Sequence, residues 1–492
     1  MNAVGSLILV IDAGTTSTRA MLFDREGALR ALSQRPLQQH YPAPGLVEHD
    51  AREIWTAALA CARQVVTQAG GADRIAAIGI TNQRETVVAW DKASGDPLAR
   101  AIVWQDRRTA RDCEALRAAG HEPAIQAATG LVIDPYFSAT KMHWLIENNA
   151  EVRAAAGAGR LALGTVESWL VHRLTGGSYV SDAANASRTS LLPLAGSDWD
   201  EGLCDLFGVP RAALPQVCDC FGAIGVARAD LLGAPLPITG LAGDQQAATI
   251  GQGCLAPGET KATYGTGAFV LANMGGEPPR SAHRLLATVL CQAGGKRTYA
   301  LEGAVFVAGS LLQWLRDGLG VIDAAPESEA LARSVESNGG VVIVPALSGL
   351  GAPHWRAEAR ASITGLSFAT SRAHVARAAL EAMAMQTRDL AVAFARDGAD
   401  WTTLRIDGGM SANDWMAQDL ADVLDLTVER PRFVETTALG AAMLAATGAG
   451  LHASLDDAVR EMRGAVETFT PAMTFEDREA RIAQWASALE TV

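Results

Sequence analysis

The sequence predicts an α/β protein of two similar halves with a ligand cleft between them, and three turns containing glycine carry this prediction. Residues 7–29 read LILVIDAGTTSTRAMLFDREGAL, an apolar strand that ends in a hydroxyl-rich turn and resumes as a second strand. Residues 261–270, KATYGTGAFV, repeat that pattern, which indicates a duplicated fold. A third turn lies in RIDGGMSAN at 405–413, where paired glycines let a backbone approach a flat ligand closely.

The first turn offers groups that bind an anion. The run Leu7–Ile11 is apolar without alternation, as expected of a central strand that is buried on both faces. Asp12 ends this run, and Gly14 permits a tight turn. Backbone N–H groups, hydroxyls and one positive charge follow at the tip: Thr15, Thr16, Ser17, Thr18 and Arg19. For this segment alone, a surface hairpin with a polar turn is the alternative.

Composition and charge argue against several classes of function. The 492 residues are 49% hydrophobic and 19% charged, which predicts a folded protein of two or more domains. A net charge of −13 argues against nucleic acid or an anionic membrane as the main partner. No apolar run is long enough to span a bilayer, and no basic leader precedes the first strand. A cytoplasmic protein without an integral membrane segment is therefore expected.

The cysteines and histidines give no metal signal. The seven cysteines are odd in number and scattered, which favours reduced thiols over a disulfide framework. Cys218 and Cys220 are close together, but one Cys-x-Cys pair without a second pair is a poor zinc signal. The nine histidines have no metal-ligand spacing either.

Early in the chain, a helix is followed by a strand and a charged pair. Asp50, with Glu53 three positions later, predicts a capped helix through Gln68. A strand is predicted at 74–80, and TNQRET at 81–86 follows it. Open α/β sheets bind ligands beyond the carboxyl ends of their strands, so Arg84 and Glu85 become candidate ligand residues.

Three later segments of the first half also bring polar groups to strand or helix ends. A strand predicted at 101–104 ends in WQDRRT. Residues 134–149, DPYFSATKMHWLIENN, predict a turn from which Tyr136 projects, followed by an amphipathic helix. PITGLAGD at 237–244 predicts a short strand and leaves Asp244 at the start of a helix, where capping alone could also explain an aspartate.

The glycines and the proline in GQGCLAPGET, residues 251–260, place a domain boundary between residues 252 and 253. The second half then starts with the second Gly/Thr turn. Apolar residues at helical spacing predict helices at 303–317 and 374–396.

In order and content, the three turns resemble the two phosphate loops and the adenosine loop of the actin, Hsp70 and sugar-kinase ATPase superfamily. TNQRET, WQDRRT, GLVIDPYFSATKMHWL, GDQQAA, TYGTGAF, LEGAVFVAGSLLQWLRD and IDGGMSANDW together resemble the FGGY family of sugar and polyol kinases. The likeness runs from Leu7 to about Gly448. It implies two duplicated ribonuclease H-like domains: 1–252 with the first phosphate loop and the substrate site, and 253–492 with the second phosphate loop and the adenosine site.

Within the family, the match is to the members that phosphorylate glycerol. The resemblance implies that ATP phosphorylates glycerol to sn-glycerol 3-phosphate in glycerol uptake and degradation, with Mg²⁺ and in a homodimer or homotetramer. Members acting on xylulose, gluconate or ribulose are expected to carry other residues in place of Arg84 and Glu85. A kinase for another small polyol or ketose remains an alternative, and so does an ATP-binding sensor without turnover.

The resemblance also assigns roles to matching positions. Asp244 would be the general base, and Asp12 would act through water on Mg²⁺. The implied substrate-binding residues are Arg84, Glu85, Trp104, Tyr136, Asp244, Gln245 and Phe269. The implied nucleotide-binding residues are Thr15, Thr16, Ser17, Arg19, Gly265, Thr266, Gly267, Gly309, Gln313, Gly409, Met410 and Asn413. The chain departs from the family pattern at Ala13, which removes a possible contact in the first phosphate turn, and at Arg356 and Ala361, where loop or interface changes are expected.

Overall fold

A computed structural model describes residues 5–356 and 358–492. In chain order its strands are β1 (Leu7–Ala13), β2 (Ser17–Phe23), β3 (Leu29–Pro36), β4 (Glu48–His49), β5 (Ile75–Asn82), β6 (Val88–Asp91), β7 (Ala101–Ile102), β8 (Leu161–Gly164), β9 (Val180–Asp182), β10 (Gln216–Cys218), β11 (Phe221–Ala227), β12 (Leu236–Gly243), β13 (Glu259–Tyr264), β14 (Ala268–Gly275), β15 (Leu286–Ala293), β16 (Lys296–Val305), β17 (Val342–Val344), β18 (Ser362–Thr364), β19 (Thr403–Asp407), β20 (Val428–Pro431) and β21 (Val466–Phe469).

The helices are α1 (Ala51–Ala69), α2 (Ala110–Ala118), α3 (Glu122–Thr129), α4 (Ser138–Asn148), α5 (Ala150–Gly157), α6 (Val166–Thr175), α7 (Ala183–Ala186), α8 (Glu201–Phe207), α9 (Ala229–Leu232), α10 (Asp244–Gly251), α11 (Gly309–Asp317), α12 (Glu327–Arg333), α13 (Arg372–Arg396), α14 (Asp414–Leu424), α15 (Thr436–Gly448), α16 (Leu455–Met462) and α17 (Phe475–Leu489). Within residues 5–356 and 358–492, none is long and apolar enough to cross a membrane.

Two large mixed sheets repeat one pairing pattern. Their strand orders are β11-β12-β5-β1-β2-β3 and β21-β20-β19-β13-β14-β16-β15. In the first sheet β1 pairs antiparallel with β2 and parallel with β5, and β13 of the second sheet pairs in the same way with β14 and β19. Each sheet continues with a further parallel strand, β12 or β20, and an antiparallel one beyond it, β11 or β21. The predicted duplication of an α/β fold is confirmed.

The first sheet is covered on both faces because β1 is apolar on both. Leu9 and Ile11 pack in a core with Ile54 of α1, whereas Ile8 and Val10 pack in a second core with Leu439 of α15. Alternate residues of a strand point to opposite faces, so an unbroken apolar run matches a strand between two helices.

Helix α15 comes from late in the chain and packs against α10 backbone to backbone. A Cβ placed on Gly440 would lie 1.8 Å from the carbonyl oxygen of Ala247, and one on Gly251 would lie 2.0 Å from that of Thr436. Only glycine permits these approaches, and we call this contact the glycine seam. It fixes α15 to the helix that begins with Asp244.

Most element predictions are confirmed, and two need correction. Helix α1 has Asp50 as its N-cap, which accepts the N–H of Arg52 at 2.8 Å. The helix predicted at 303–317 begins only at Gly309, because residues 303–305 belong to β16 and pair with β14. The strand predicted at 101–104 ends at Ile102.

The three departures from the family pattern lie in different surroundings. Arg356 donates to the carbonyl oxygens of Leu489 and Val492 at 3.1 and 2.7 Å, so it ties its loop to the end of α17. Ala13 is buried at the end of β1, and Ala361 is half-buried just before β18. The change at Arg356 is therefore a loop contact within the chain.

Candidate functional site

The predicted acidic and basic residues lie at one edge of the first sheet. Asp12 of β1 pairs in register with Thr81 of β5, and Thr81 pairs with Ala242 of β12. Arg84 lies two residues beyond β5, and Asp244 directly follows β12. Parallel strands bring their carboxyl ends to the same edge, so these three side chains converge there.

Arg84 is buried and connects residues from three other segments. Its Nη1 and Nη2 donate to the two carboxylate oxygens of Glu302 at 2.6 and 3.1 Å. Nη2 also donates to the hydroxyl of Tyr136 at 3.3 Å, and Nε lies 3.3 Å from Oδ1 of Asp244. The structure therefore brings the predicted Arg84, Tyr136 and Asp244 together.

Glu85 is held by an arginine that the sequence analysis missed. Arg188 donates from Nε to Glu85 at 2.7 Å and from Nη2 to Glu302 at 3.0 Å. Arg84, Glu85, Arg188 and Glu302, the four-charge cluster, are each at most 3% exposed. Burial alone would raise the pKa of Glu302, but Arg188 and Arg84 lower it to about 2. The cluster has no net charge, which reduces the cost of burying it.

The backbone of Glu85 is itself unusual. Its φ is 60°, in the left-handed region, which costs a residue with a Cβ roughly 1–2 kcal/mol. Arg188 holds its carboxylate, and Ser138 donates to its carbonyl oxygen at 3.1 Å. Such strain is typical of functional sites, where the surroundings fix an otherwise unfavourable conformation.

One of the two missed residues had a sequence signal. Glu302 is a charge inside the apolar run YALEGAVF, and a charge within a buried strand requires a buried partner. Arg188 lies in the polar stretch SDAANASRTS, where an arginine is unremarkable. Its partners lie 103 and 114 residues away along the chain, so only the folded structure identifies it.

Asp244 is the most accessible of the charged groups around Arg84. Its side chain is 34% exposed, and Oδ1 accepts the N–H of Gln245 at 2.7 Å. Desolvation by the surrounding protein raises its pKa to about 6, although Arg84 opposes this shift. The residue is therefore mostly ionised at neutral pH and able to accept a proton.

The predicted aromatic residues come from both halves of the chain: Trp104 and Tyr136 lie in loops of the first half, and Phe269 lies in the second. Trp104 and Tyr136 meet edge to face with ring centroids 5.7 Å apart. The indole Nε1 of Trp104 donates to Thr15 Oγ1 at 3.0 Å, which links this aromatic pair to the first Gly/Thr turn. Phe269 is half-buried on β14 of the second sheet, where it pairs with Thr263.

The charges of the first turn already have partners. Arg19 donates twice to Oδ2 of Asp12, at 3.1 and 2.5 Å, and once to Glu435 at 2.5 Å. Burial raises the pKa of Asp12, with Arg19 acting against the shift. Glu435 immediately precedes α15, so residues far apart in the chain meet at this turn.

The tip of the first turn is held by polar contacts but leaves hydroxyls accessible. Gln83 donates to the carbonyl oxygen of Gly14 at 3.0 Å, and Gln34 donates to Ser17 Oγ at 3.0 Å. Thr16 is exposed at the tip. The residues predicted to bind phosphate are thus ordered around an open surface.

The second turn is built from backbone contacts. Gly265 donates to the carbonyl oxygen of Gly267 at 2.9 Å, and Gly309 donates to that of Gly265 at 2.8 Å. A Cβ on Gly309 would lie 2.6 Å from Gly265 and 3.5 Å from Met410. Gly265 and Thr266 are exposed. This turn, the start of α11 and the third turn therefore form one surface.

The remaining predicted nucleotide residues lie around this surface. Gly409 is exposed, and a Cβ there would meet no protein atom within 4 Å. Gln313 is exposed in α11, about one turn beyond Gly309. Asn413 is half-buried, and its side chain caps α14 by accepting the N–H of Met416 at 2.9 Å.

Comparison with known proteins defines the class. Residues 7–251 match the N-terminal domain, and residues 260–449 the C-terminal domain, of the FGGY family of carbohydrate kinases. The chain belongs to this family. The predicted family and fold class are thereby confirmed.

Particular relatives share the whole length of the chain. A glycerol kinase of Rhodospirillum centenum is 53% identical over 485 residues, which are 98% of this chain and 97% of the relative. The structure of a Plasmodium falciparum glycerol kinase with ADP is 36% identical with a TM-score of 0.94, covering 99% of this chain and 98% of the other. A xylulose kinase of Rhodospirillum rubrum is 27% identical with a TM-score of 0.87, covering 99% and 98%.

Proposed function

We propose that the protein transfers the γ-phosphoryl group of ATP to glycerol, giving sn-glycerol 3-phosphate for glycerol uptake and degradation. The observation that carries this proposal is the four-charge cluster, which lies beside the accessible carboxylate of Asp244. The cluster presents fixed donors and acceptors without a net charge, which suits a small uncharged polyol. The glycerol kinases that resemble the chain over nearly its whole length support the same substrate.

The hydrogen-bonding capacities of the site residues match hydroxyl groups. Arg84 can only donate, the Glu85 carboxylate can only accept, and Tyr136 can do both. Each hydroxyl of glycerol donates and accepts, so these side chains can orient all three. Trp104 and Phe269 would cover the carbon backbone, as apolar walls do in small-molecule sites.

Asp244 is the proposed general base. It accepts the proton of a terminal glycerol hydroxyl while that oxygen attacks the γ-phosphorus in line. The bond from the γ-phosphorus to the bridging oxygen of ATP breaks, and ADP leaves with that oxygen. The raised pKa of Asp244 suits this task because a proton acceptor works best when its pKa lies near the working pH.

We assign the phosphates of ATP to the two Gly/Thr turns and its adenosine to the surface of α11 and the third turn. The proposed domains, 1–252 and 253–492, would thus hold glycerol and most of the nucleotide respectively. Asp12 fits a water-mediated Mg²⁺ role because it is a single buried carboxylate, and Mg²⁺ usually keeps several waters. Bound there, the ion would neutralise charge on the β- and γ-phosphates.

A kinase for another polyol or a ketose is the second candidate, because a xylulose kinase shares the fold. A sensor without turnover is disfavoured by Asp244, whose accessible carboxylate and raised pKa serve proton transfer.

The deciding experiment is an ADP-release assay with MgATP and, separately, glycerol, dihydroxyacetone, xylulose and gluconate. We expect glycerol to give the highest kcat/KM. A higher kcat/KM with xylulose or gluconate would reassign the substrate, and binding of ATP without ADP release on any acceptor would favour the sensor.

A further inference from the structure

We propose that Lys261 is a positioning residue that orients the side-chain amide of Gln245, so that the NH2 group of that amide faces the reacting oxygens beside Asp244. The proposal rests on the proposed function, because the acceptor of this NH2 group would be an oxygen of glycerol or of the transferred phosphoryl group.

Lys261 connects the second sheet to helix α10. It lies in β13 of the second sheet and is fully buried, whereas Gln245 is the second residue of α10, which follows the first sheet. Nζ of Lys261 donates to Oε1 of Gln245 at 2.6 Å and to Oγ1 of Thr263 at 2.9 Å. Thr263 in turn donates to Asp407.

The chemistry of the ammonium group determines which end of the amide it binds. An ammonium group has three donors and no acceptor, so it can bind only the oxygen of Gln245. The nitrogen of that amide is then left on the opposite side and can only donate. Gln245 is half-buried and directly follows Asp244, so this donor and the proposed base belong to the same first turn of α10.

The burial of Lys261 is costly and calls for an explanation. Burial lowers its pKa, while Asp407 and Asp244 favour its charged form. A buried cation destabilises a fold unless it is paired and hydrogen-bonded. An apolar side chain would fill this position in β13 at less cost, so the ammonium group has a use in fixing Gln245.

A double-mutant cycle tests the coupling. The variants are Lys261→Met, Gln245→Ala and the double variant, each assayed for glycerol kcat/KM at saturating MgATP and for Tm. If Lys261 acts through Gln245, each single change lowers kcat/KM about tenfold and the double change lowers it no further. Losses that multiply, or a Lys261→Met variant that only lowers Tm, would overturn the proposal.

A second substitution guards against a variant that does not fold. Lys261→Gln keeps a polar group but can bind either end of the Gln245 amide. It should therefore lower kcat/KM several-fold when Gln245 is present and leave kcat/KM unchanged when it is added to the Gln245→Ala variant. An effect of equal size in both backgrounds would contradict the proposal.

Lys141 offers a matched control. It is also fully buried, but its Nζ donates to the carbonyl oxygens of Pro135 and Tyr136 at 3.2 and 2.5 Å. The effects of Lys141→Met and Gln245→Ala on kcat/KM should multiply, because the two residues share no partner.

The cycle also separates failure of this proposal from failure of the glycerol assignment. If the wild type prefers another acceptor, the glycerol assignment fails, and the same cycle, run with that acceptor, still tests Lys261. A wild type without turnover on any acceptor would overturn both.

Discussion

The two large sheets have the same pairing pattern but present different chemistry at the ends of matching strands. In the first sheet, the parallel strands β1, β5 and β12 lead to Asp12, Arg84 and Asp244. In the second sheet, β13 and β19 lead to the glycines of the second and third turns. One fold therefore supplies two equivalent edges, and a few residues decide whether an edge offers charge or bare backbone.

Two aspartates near the carboxyl ends of strands, one in each large sheet, differ in the partners of their carboxylates. Asp12, at β1, is paired with the cation Arg19. Asp407, at β19, accepts hydrogen bonds from three neutral side chains, Thr263, Gln252 and Thr436. The same residue type thus pairs with a cation at the first Gly/Thr turn in one sheet and joins strands and helices through neutral hydrogen bonds in the other.

The largest expected effect tests the assignment of chemistry to the first sheet. Asp244→Asn should lower kcat about 10²–10⁴-fold, because an amide cannot accept the proton of the attacking hydroxyl. Steady-state kinetics with glycerol and MgATP measures this loss, and equilibrium binding of both should persist. Asp230→Asn, in an exposed ion pair before β12, is the control and should change kcat little. Near-normal turnover of Asp244→Asn would show that Asp244 is not the general base.

The next effect tests whether the charged edge recognises glycerol rather than phosphate. Arg84→Ala should raise the glycerol KM roughly 10–100-fold, since hydrogen bonds from a charged group contribute about 1.5–3 kcal/mol. The ATP KM should change far less. Thermal unfolding must accompany the kinetics, because the change removes a partner of the buried Glu302. Equal weakening for both substrates would instead place Arg84 at the phosphates.

The pH dependence of kcat/KM should reflect the ionisation of Asp244, at the edge of the first sheet. Asp244 must be unprotonated to act, and its pKa is raised to about 6. The kcat/KM for glycerol should therefore rise about tenfold per pH unit below 6 and level off above it. Measurements from pH 5 to pH 8 at constant ionic strength test this. The decrease of kcat/KM at acidic pH should be absent in Asp244→Asn. A decrease that persists in that variant would come from the titration of another group.

The smallest effect tests the backbone character of the second edge. Gly409→Ala adds a Cβ that meets no protein atom within 4 Å, so Tm should be unchanged. If adenosine lies against this backbone, the ATP KM should rise about five- to tenfold while the glycerol KM stays constant. Gly157→Ala, in α5 with equally open space, should alter neither constant. An unchanged ATP KM for Gly409→Ala would show that adenosine does not bind against Gly409.

The strand-turn-strand units could be predicted from sequence because their signal is local. An apolar run followed by glycine and hydroxyl residues defines both β1 with β2 and β13 with β14. Local periodicity failed at residues 303–305, where an apolar stretch that fits a helix pairs with β14 instead. Such pairing depends on a neighbour more than 30 residues away, which helical spacing does not record.

The candidate site was predictable from local pattern where its residues follow a strand or, like Tyr136, lie in the turn before a helix. Arg84 and Asp244 stand out for that reason, as does Asp12. The partners that hold them come from elsewhere: Glu302 is 218 residues from Arg84 along the chain, and Glu435 is 416 residues from Arg19. Ion pairs between residues so far apart along the chain leave no local pattern in the sequence.

The glycine seam between α10 and α15 has a mechanical consequence. Backbone lies against backbone there, and both helices pack in the same core as Ile8 and Val10 of β1, so the seam holds α10 and α15 together on the first sheet. Asp244 is three residues before Ala247, about 5 Å along the helix from the contact with Gly440. If the second sheet moves relative to the first, Asp244 should therefore stay with the first sheet, whereas the second and third turns, at the ends of β13 and β19, would move with the second sheet. The proposed base would thus stay nearly in place while the surfaces around it open and close, which distances between spin labels on the two sheets, with and without nucleotide, can check.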